Sequence, residues 1–200
     1  ASTRPALHWG DDDEPLPQLE TIAAECPVAL VYNGVSHAVM LASPADLEDM
    51  GIGFTIAEGI VRDAAEIGSV EVIDMALGME VRLEIPPERA AALDERRRSM
   101  AGGTACGLCG IISLDRALRP LPRAAAGPAL RAAAIRAALE SLPARQATHR
   151  ATSAVHAAAL ASPDGEILLV REDVGRHNAL DKLVGAAARA GNDPRERDRK

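Results

Sequence analysis

Apolar and polar positions along this chain repeat with two different periods. Residues 28–32 and 35–41 are aliphatic runs of strand type, joined by Asn33-Gly34. A two-residue type I′ turn needs positive φ at both central positions, which Asn-Gly tolerates, so the pattern predicts a β-hairpin. Residues 70–76 and 79–85 alternate around Leu77-Gly78 and predict two more strands. Residues 153–161 and 166–171 predict a second hairpin around Ser162-Pro163-Asp164-Gly165.

Between these runs the period lengthens. Leu47, Met50, Phe54, Ala57 and Val61 recur at helical spacing, with Ser43 as the expected cap, Pro44 at the first helical position and Asp46 in the first turn. Gly51, Gly53 and Gly59 would weaken this helix in isolation and point to another backbone passing close by. Residues 87–98 predict a short helix ending in Arg96-Arg97-Arg98, and 128–142 an Ala-rich helix. Residues 176–190 are amphipathic through Leu180, Leu183, Val184 and Ala187, with Gly191 able to end the helix. The fold class is therefore α/β, or mixed α+β. The organisation expected is a loose acidic leader over 1–24, holding Pro5, Pro15 and Pro17, then an α/β region over 25–98. A cysteine loop over 99–110, a second α/β region over 111–191 and a disordered charged tail over 192–200 complete it.

Composition narrows the classes. At 200 residues, 48% hydrophobic and 26% charged, the chain suits one domain or two small ones. No apolar run approaches the ~18 residues of a membrane-spanning helix, and the acidic N-terminus lacks a basic-then-apolar signal segment. A cytoplasmic protein is the default expectation. A net charge of −7 and 2% aromatic residues argue against nucleic-acid binding. Charge is uneven, however. Residues 1–50 hold nine acids against Arg4, whereas residues 96–150 hold ten arginines against Asp115 and Glu140. Such a basic block suits an anionic ligand or an acidic partner, or else a set of solvated helix faces.

The chemistry concentrates in Gly102-Gly103-Thr104-Ala105-Cys106-Gly107-Leu108-Cys109-Gly110. A Cys-x-x-Cys pair can share a metal, form a disulfide, shuttle electrons or pass a sulfur atom. Flanking glycines leave the thiols accessible, and the arginines upstream favour thiolate. Structural zinc usually takes four ligands, and neither Cys26 nor His37, His149, His156 or His177 has finger-type spacing. A zinc deaminase needs His-x-Glu and Pro-Cys-x-x-Cys, which are missing here. A thioredoxin-like dithiol fits the Gly-rich surround poorly, and a structural disulfide does not suit a cytoplasmic protein. Nucleophilic sulfur chemistry through a persulfide is the fourth reading.

Four stretches occur in a specific order: Arg96-Arg97-Arg98, Cys106-Gly107-Leu108-Cys109-Gly110, Val155-His156-Ala157-Ala158-Ala159-Leu160, and the run from Val170 through Asp173-Val174-Gly175-Arg176-His177-Asn178-Ala179-Leu180-Asp181-Lys182. Together with Asn33-Gly34, residues 44–49 and Glu58-Gly59-Ile60, they resemble the formate dehydrogenase accessory sulfurtransferases, the FdhD family, over residues ~25–191. The resemblance implies a cytidine-deaminase-like core preceded by a small hairpin-and-helix region. It implies a sulfur relay in which a cysteine desulfurase loads Cys106, Cys109 assists, and the sulfur passes to the bis-molybdopterin guanine dinucleotide cofactor destined for formate dehydrogenase. It also implies a homodimer, no tightly bound metal, and further strands with a guanine-nucleotide loop beyond the last helix seen here. An Arg-rich surround suits a cofactor that bears pyrophosphate.

Other polar residues have candidate roles. Gly175, Arg176, His177 and Asn178 stand at a predicted helix start, where free N–H groups could meet a phosphate or the cofactor's edge. Asp173 and His177 could together hold a proton during transfer. His156 is expected in the core, His37 at the surface, and Cys26 as a small apolar residue, while Arg96–Arg98 could dock the desulfurase. Two further functions remain open: a noncatalytic chaperone for the molybdenum cofactor, and a zinc-stabilised binding module.

Overall fold

The computed structural model describes residues 1–9, 15–99, 127 and 129–191, with residues 96–99 as backbone alone. Strand β1 (Ser2–Trp9) pairs antiparallel with β2 (Pro15–Ile22) along its whole length, from Ser2↔Ile22 to Trp9↔Pro15. A β-ribbon thus stands where a loose leader is expected. The prolines that suggest looseness do not interrupt the ladder, because alternate residues of a ribbon turn their N–H groups outward and have none to lose.

Strands β3 (Cys26–Tyr32) and β4 (Val35–Ala42) form the hairpin expected from Asn33-Gly34, and both turn residues have positive φ, 47° and 80°. Strands β5 (Val70–Met75) and β6 (Gly78–Leu83) form another antiparallel pair. The two hairpins join through parallel pairing of β3 with β6, giving one sheet of order β4-β3-β6-β5.

Helix α1 (Leu47–Ala57) lies on this sheet. Val28, Leu30 and Tyr32 of β3, Val81 and Leu83 of β6 and Met50 of α1 form the centre of the core and are almost wholly buried. Burial stabilises each such side chain by roughly 1.5–3 kcal/mol. The Tyr32 hydroxyl is satisfied at 2.9 Å by Thr55, whose own hydroxyl donates to the Gly51 carbonyl at 2.6 Å. Helix α2 (Pro87–Ser99) follows the sheet, and the cysteine segment after it in the sequence lies outside the described residues.

The start of α1 differs from expectation. Asp46, in the left-handed region, precedes the helix without a side-chain cap, and Ser43 caps nothing. The cause is long-range: the Ser43 N–H donates to Asp173 and its hydroxyl accepts from the Val174 N–H.

The remainder builds onto α1. Helix α3 (Ala132–Arg145) starts and ends later than predicted and runs through Pro143, and α4 (Ala147–Thr152) follows it. Strands β7 (His156–Ala161) and β8 (Ile167–Asp173) form the second expected hairpin, and α5 (Arg176–Arg189) follows, with Gly191 at φ 66° just beyond its end. Helix α5 packs against β7 and β8 on one side and α1 on another. The helix crossing is close enough to exclude side chains. A Cβ on Gly53 would lie 1.7 Å from the Asp181 carbonyl oxygen, and one on Gly185 would lie 1.9 Å from that of Asp49. Of the glycines suspected there, Gly53 therefore admits another backbone, Gly51 faces the Val81 and Leu83 side chains, and Gly59, with φ 65°, lies beyond the helix's end.

Two histidines lie elsewhere than expected. His156 is exposed, because it opens β7 at the sheet's end rather than its centre. His37 is half-buried, edge-on to Tyr32 at 5.5 Å and to Phe54 at 6.2 Å. Cys26 is half-buried, and burial pushes its thiol pKa up, as suits a packing residue rather than a nucleophile. Among the described residues, no helix is long and apolar enough to cross a membrane, and no group of His, Cys, Asp and Glu gathers as a metal-ligand set.

Candidate functional site at the start of helix α5

Strand β8 ends at Asp173, the chain turns through Val174 and Gly175, and α5 begins at Arg176. The junction is held by a buried ionic knot. Asp173 and Lys182 have no exposed side-chain surface and meet at 2.6 Å. The other Lys182 contact is the Ser43 carbonyl at 3.0 Å. Asp173 also accepts from the N–H groups of Ser43 at 2.9 Å and Gly175 at 2.8 Å, and from the Asn178 amide at 3.1 Å. Asn178 in turn donates to the Leu41 carbonyl at 2.8 Å. Buried charges persist only when paired and fully hydrogen-bonded, and this arrangement satisfies both conditions.

The knot divides the four residues expected to bind the cofactor. Gly175 and Asn178 belong to the internal frame: the Gly175 N–H is taken by Asp173, and Asn178 is buried. Arg176 and His177 are exposed on the first turn of α5. These two, with the N–H groups at the helix start, are the part of the run able to touch an anion. The expected proton couple of Asp173 and His177 is not formed, since Asp173 spends its acceptor sites on Ser43, Gly175, Asn178 and Lys182.

A different carboxyl has the properties sought in an acid–base group. Asp181 is one turn beyond His177, on the same side of α5. Burial, helped by the negative charge of Glu58, pushes its pKa up to about 7. A carboxyl near neutrality can hold or release a proton under working conditions. The sequence gives no signal for this, because burial and the approach of Glu58 arise only in the folded chain.

A second ionic cluster fixes the same helices. Buried Asp49 of α1 receives Arg171 of β8 at 2.8 Å and Arg189 of α5 at 2.9 Å. Arg189 also reaches Glu48 at 3.0 Å. Glu172 accepts from the N–H groups of Thr148 and His149 at the start of α4, so it orients α4 rather than a ligand. Cys106 and Cys109 lie outside the described residues, in the segment between α2 and α3.

The architecture has a counterpart among solved structures. It superposes with a TM-score of 0.63 on a protein described as a formate dehydrogenase accessory protein from Desulfotalea psychrophila, at 23% identity, over 94% of this chain and 67% of that one. The chain belongs to the FdhD/NarQ family, whose model matches residues 23–197. It is 51% identical over 178 residues to the sulfur carrier protein FdhD of Bordetella petrii, covering 89% of this chain and 64% of that protein. With the sulfur carrier protein FdhD of Cupriavidus necator it shares 50% identity over 174 residues, covering 87% of this chain and 60% of the relative. The chain thus spans less than two thirds of the length of these curated relatives.

Proposed function

We propose that this chain carries sulfur for formate dehydrogenase maturation, with Cys106 as the persulfide carrier and Cys109 as its helper. The observation that carries this reading is the Cys-x-x-Cys pair, set among glycines and inside the family-matched segment of a chain half identical to sulfur carrier proteins. The Cys106 thiolate attacks the outer sulfur of a desulfurase persulfide. A new S–S bond forms as the old one breaks, and the desulfurase thiolate leaves. The Cys109 thiolate then attacks Cys106 Sγ, forming a Cys106–Cys109 disulfide as the persulfide S–S bond breaks. The outer sulfur leaves as hydrosulfide to the bis-molybdopterin guanine dinucleotide cofactor, and an external thiol reduces the disulfide for the next round. In this reading the core is cytidine-deaminase-like and the protein is a cytoplasmic homodimer.

Arg176 and His177, exposed at the start of α5, are the described side chains best placed to meet the cofactor's phosphates. The Asp173–Lys182 knot holds that helix start in place. Intact-mass spectrometry after incubation with a cysteine desulfurase and cysteine tests the proposal. The expected result is one added sulfur atom, removed by reductant, retained in Cys109→Ala and absent from Cys106→Ala. A wild-type chain that never gains sulfur overturns the relay. Cofactor binding that survives in that case would favour the noncatalytic chaperone, and a native-only mass matching zinc would favour a metal-stabilised module.

A further inference from the structure

Helices α1 and α5 run antiparallel and meet in steps of one turn. Arg189 of α5 pairs with Glu48 and Asp49 of α1. A Cβ on Gly185 would press on the Asp49 carbonyl, and one on Gly53 on that of Asp181. Four residues forward along α1 thus match four residues back along α5. The next step brings His177 level with Ala57 and with Glu58, the C-terminal cap of α1. His177 is exposed there. Since a helix C-terminus carries partial negative charge, the imidazole sits at the negative end of α1, one turn from the Asp181 carboxyl on its own helix.

Asp181 is the uncommitted acid of this corner. Asp49 is bound by Arg171 and Arg189, and Asp173 by Lys182, Ser43, Gly175 and Asn178. The half-buried Asp181 carboxyl accepts no hydrogen bond and pairs with no cation among the described residues. Helical side chains lean toward the N-terminus, which tilts this carboxyl toward His177. The charged and titratable groups around it are Glu58 of α1, Tyr32 of β3, and His177 and Lys182 of α5, of which Lys182 is committed to Asp173. Nothing in the frame of the fold uses either the Asp181 carboxyl or the His177 imidazole, and groups one turn apart titrate as a pair.

The geometry points to His177 and Asp181 as the proton couple of sulfur delivery, an inference that rests on the relay proposed above. Sulfur that leaves Cys106 as hydrosulfide has to shed its proton to bind the cofactor's metal as sulfide. The S–H bond breaks, its electron pair stays on sulfur, and nothing is oxidised or reduced. His177 meets the hydrosulfide and takes the proton. Asp181 is the positioning residue behind it: its carboxylate stabilises the imidazolium and accepts the proton in turn, before release to water.

Two measurements on the full chain test the couple. Carboxyl carbon NMR, assigned through Asp181→Asn, should show Asp181 titrating at about 7. His177→Ala should move that midpoint upward by about half a pH unit, because loss of the neighbouring imidazolium disfavours the carboxylate. The second measurement follows labelled sulfur from the Cys106 persulfide to the molybdenum cofactor in single turnovers between about pH 5 and 8. The wild-type rate should rise as pH passes about 7, and Asp181→Asn should abolish that rise. His177→Arg keeps a cation for the cofactor's phosphates, yet should slow transfer about tenfold with little change in cofactor affinity. Added imidazole should restore the rate of His177→Ala. An Asp181 midpoint indifferent to His177→Ala, a pH profile unchanged in Asp181→Asn, or wild-type transfer by His177→Arg would each overturn the couple. A wild-type chain that never gains sulfur on Cys106 overturns the relay and the couple with it, whereas normal loading confines any failure to the couple.

Discussion

Lys182 donates to Asp173 at 2.6 Å, and neither side chain has any exposed surface. One belongs to α5 and the other ends β8, and both reach Ser43 ahead of α1. Three segments of the fold thus converge on one ion pair. Breaking such a pair from one side leaves an uncompensated buried charge. Lys182→Met should destabilise the protein by about 3–5 kcal/mol in chemical denaturation. The double variant Lys182→Met/Asp173→Asn should recover part of that loss, because the stranded carboxylate is gone.

The α1–α5 crossing makes a sharper steric prediction. Gly53→Ala sets a methyl group against the Asp181 carbonyl, and Gly185→Ala sets one against that of Asp49, backbone atoms that cannot step aside. Each substitution should cost more than ~3 kcal/mol or abolish folding. Gly127→Ala, with open space around its Cβ, should leave the thermal midpoint unchanged.

Asp181 links stability to pH. Its folded pKa, about 7, lies above the ordinary 3.8, so ionisation opposes the folded state. Its contribution is full below pH 3.8 and is lost as pH rises through about 7. Asp181→Asn should therefore raise stability at pH 8 by about 1–2 kcal/mol, allowing for partial solvent screening, and leave it little changed near pH 4. Urea titrations at the two pH values give the comparison.

Arg176→Ala and His177→Ala separate recognition from folding. Both side chains are exposed, so each substitution should change stability by less than ~0.5 kcal/mol. Sulfur loading of Cys106 should persist in both, while transfer to the cofactor weakens about tenfold through a lost charge-assisted contact. Undiminished transfer in the double variant would remove this helix start from the cofactor site.

Features set by neighbouring residues were legible in the sequence. Asn33-Gly34 dictates its hairpin through backbone conformation alone, and the apolar stripe of α5 with Gly191 delimits a helix without reference to the rest of the chain. Features set by distant partners were not. Ser43 has the chemistry of a helix cap, but Asp173, 130 residues away, claims its N–H. The parallel pairing of β3 with β6 leaves no local trace, and the ribbon was hidden by prolines that usually mark loops. At the candidate site the Asp173–Lys182 run was visible as a motif. Only the fold shows that Gly175 and Asn178 face inward while Arg176 and His177 face outward. The chemistry of Cys106 and Cys109 rests on sequence, since both lie outside the described residues.

The ties between Ser43 and the Asp173–Lys182 segment also set an order of events during synthesis. The ribosome adds about 5–20 residues per second, so the β3–β4 hairpin and α1 emerge many seconds before α5. Through that interval the α1 face later covered by α5 has no partner, and Asp49 lacks both of its arginines. The first part of this chain is therefore a waiting structure until α5 leaves the exit tunnel. A stop codon placed just before α5 should leave a product that is captured by chaperones or degraded rather than one that is merely shorter.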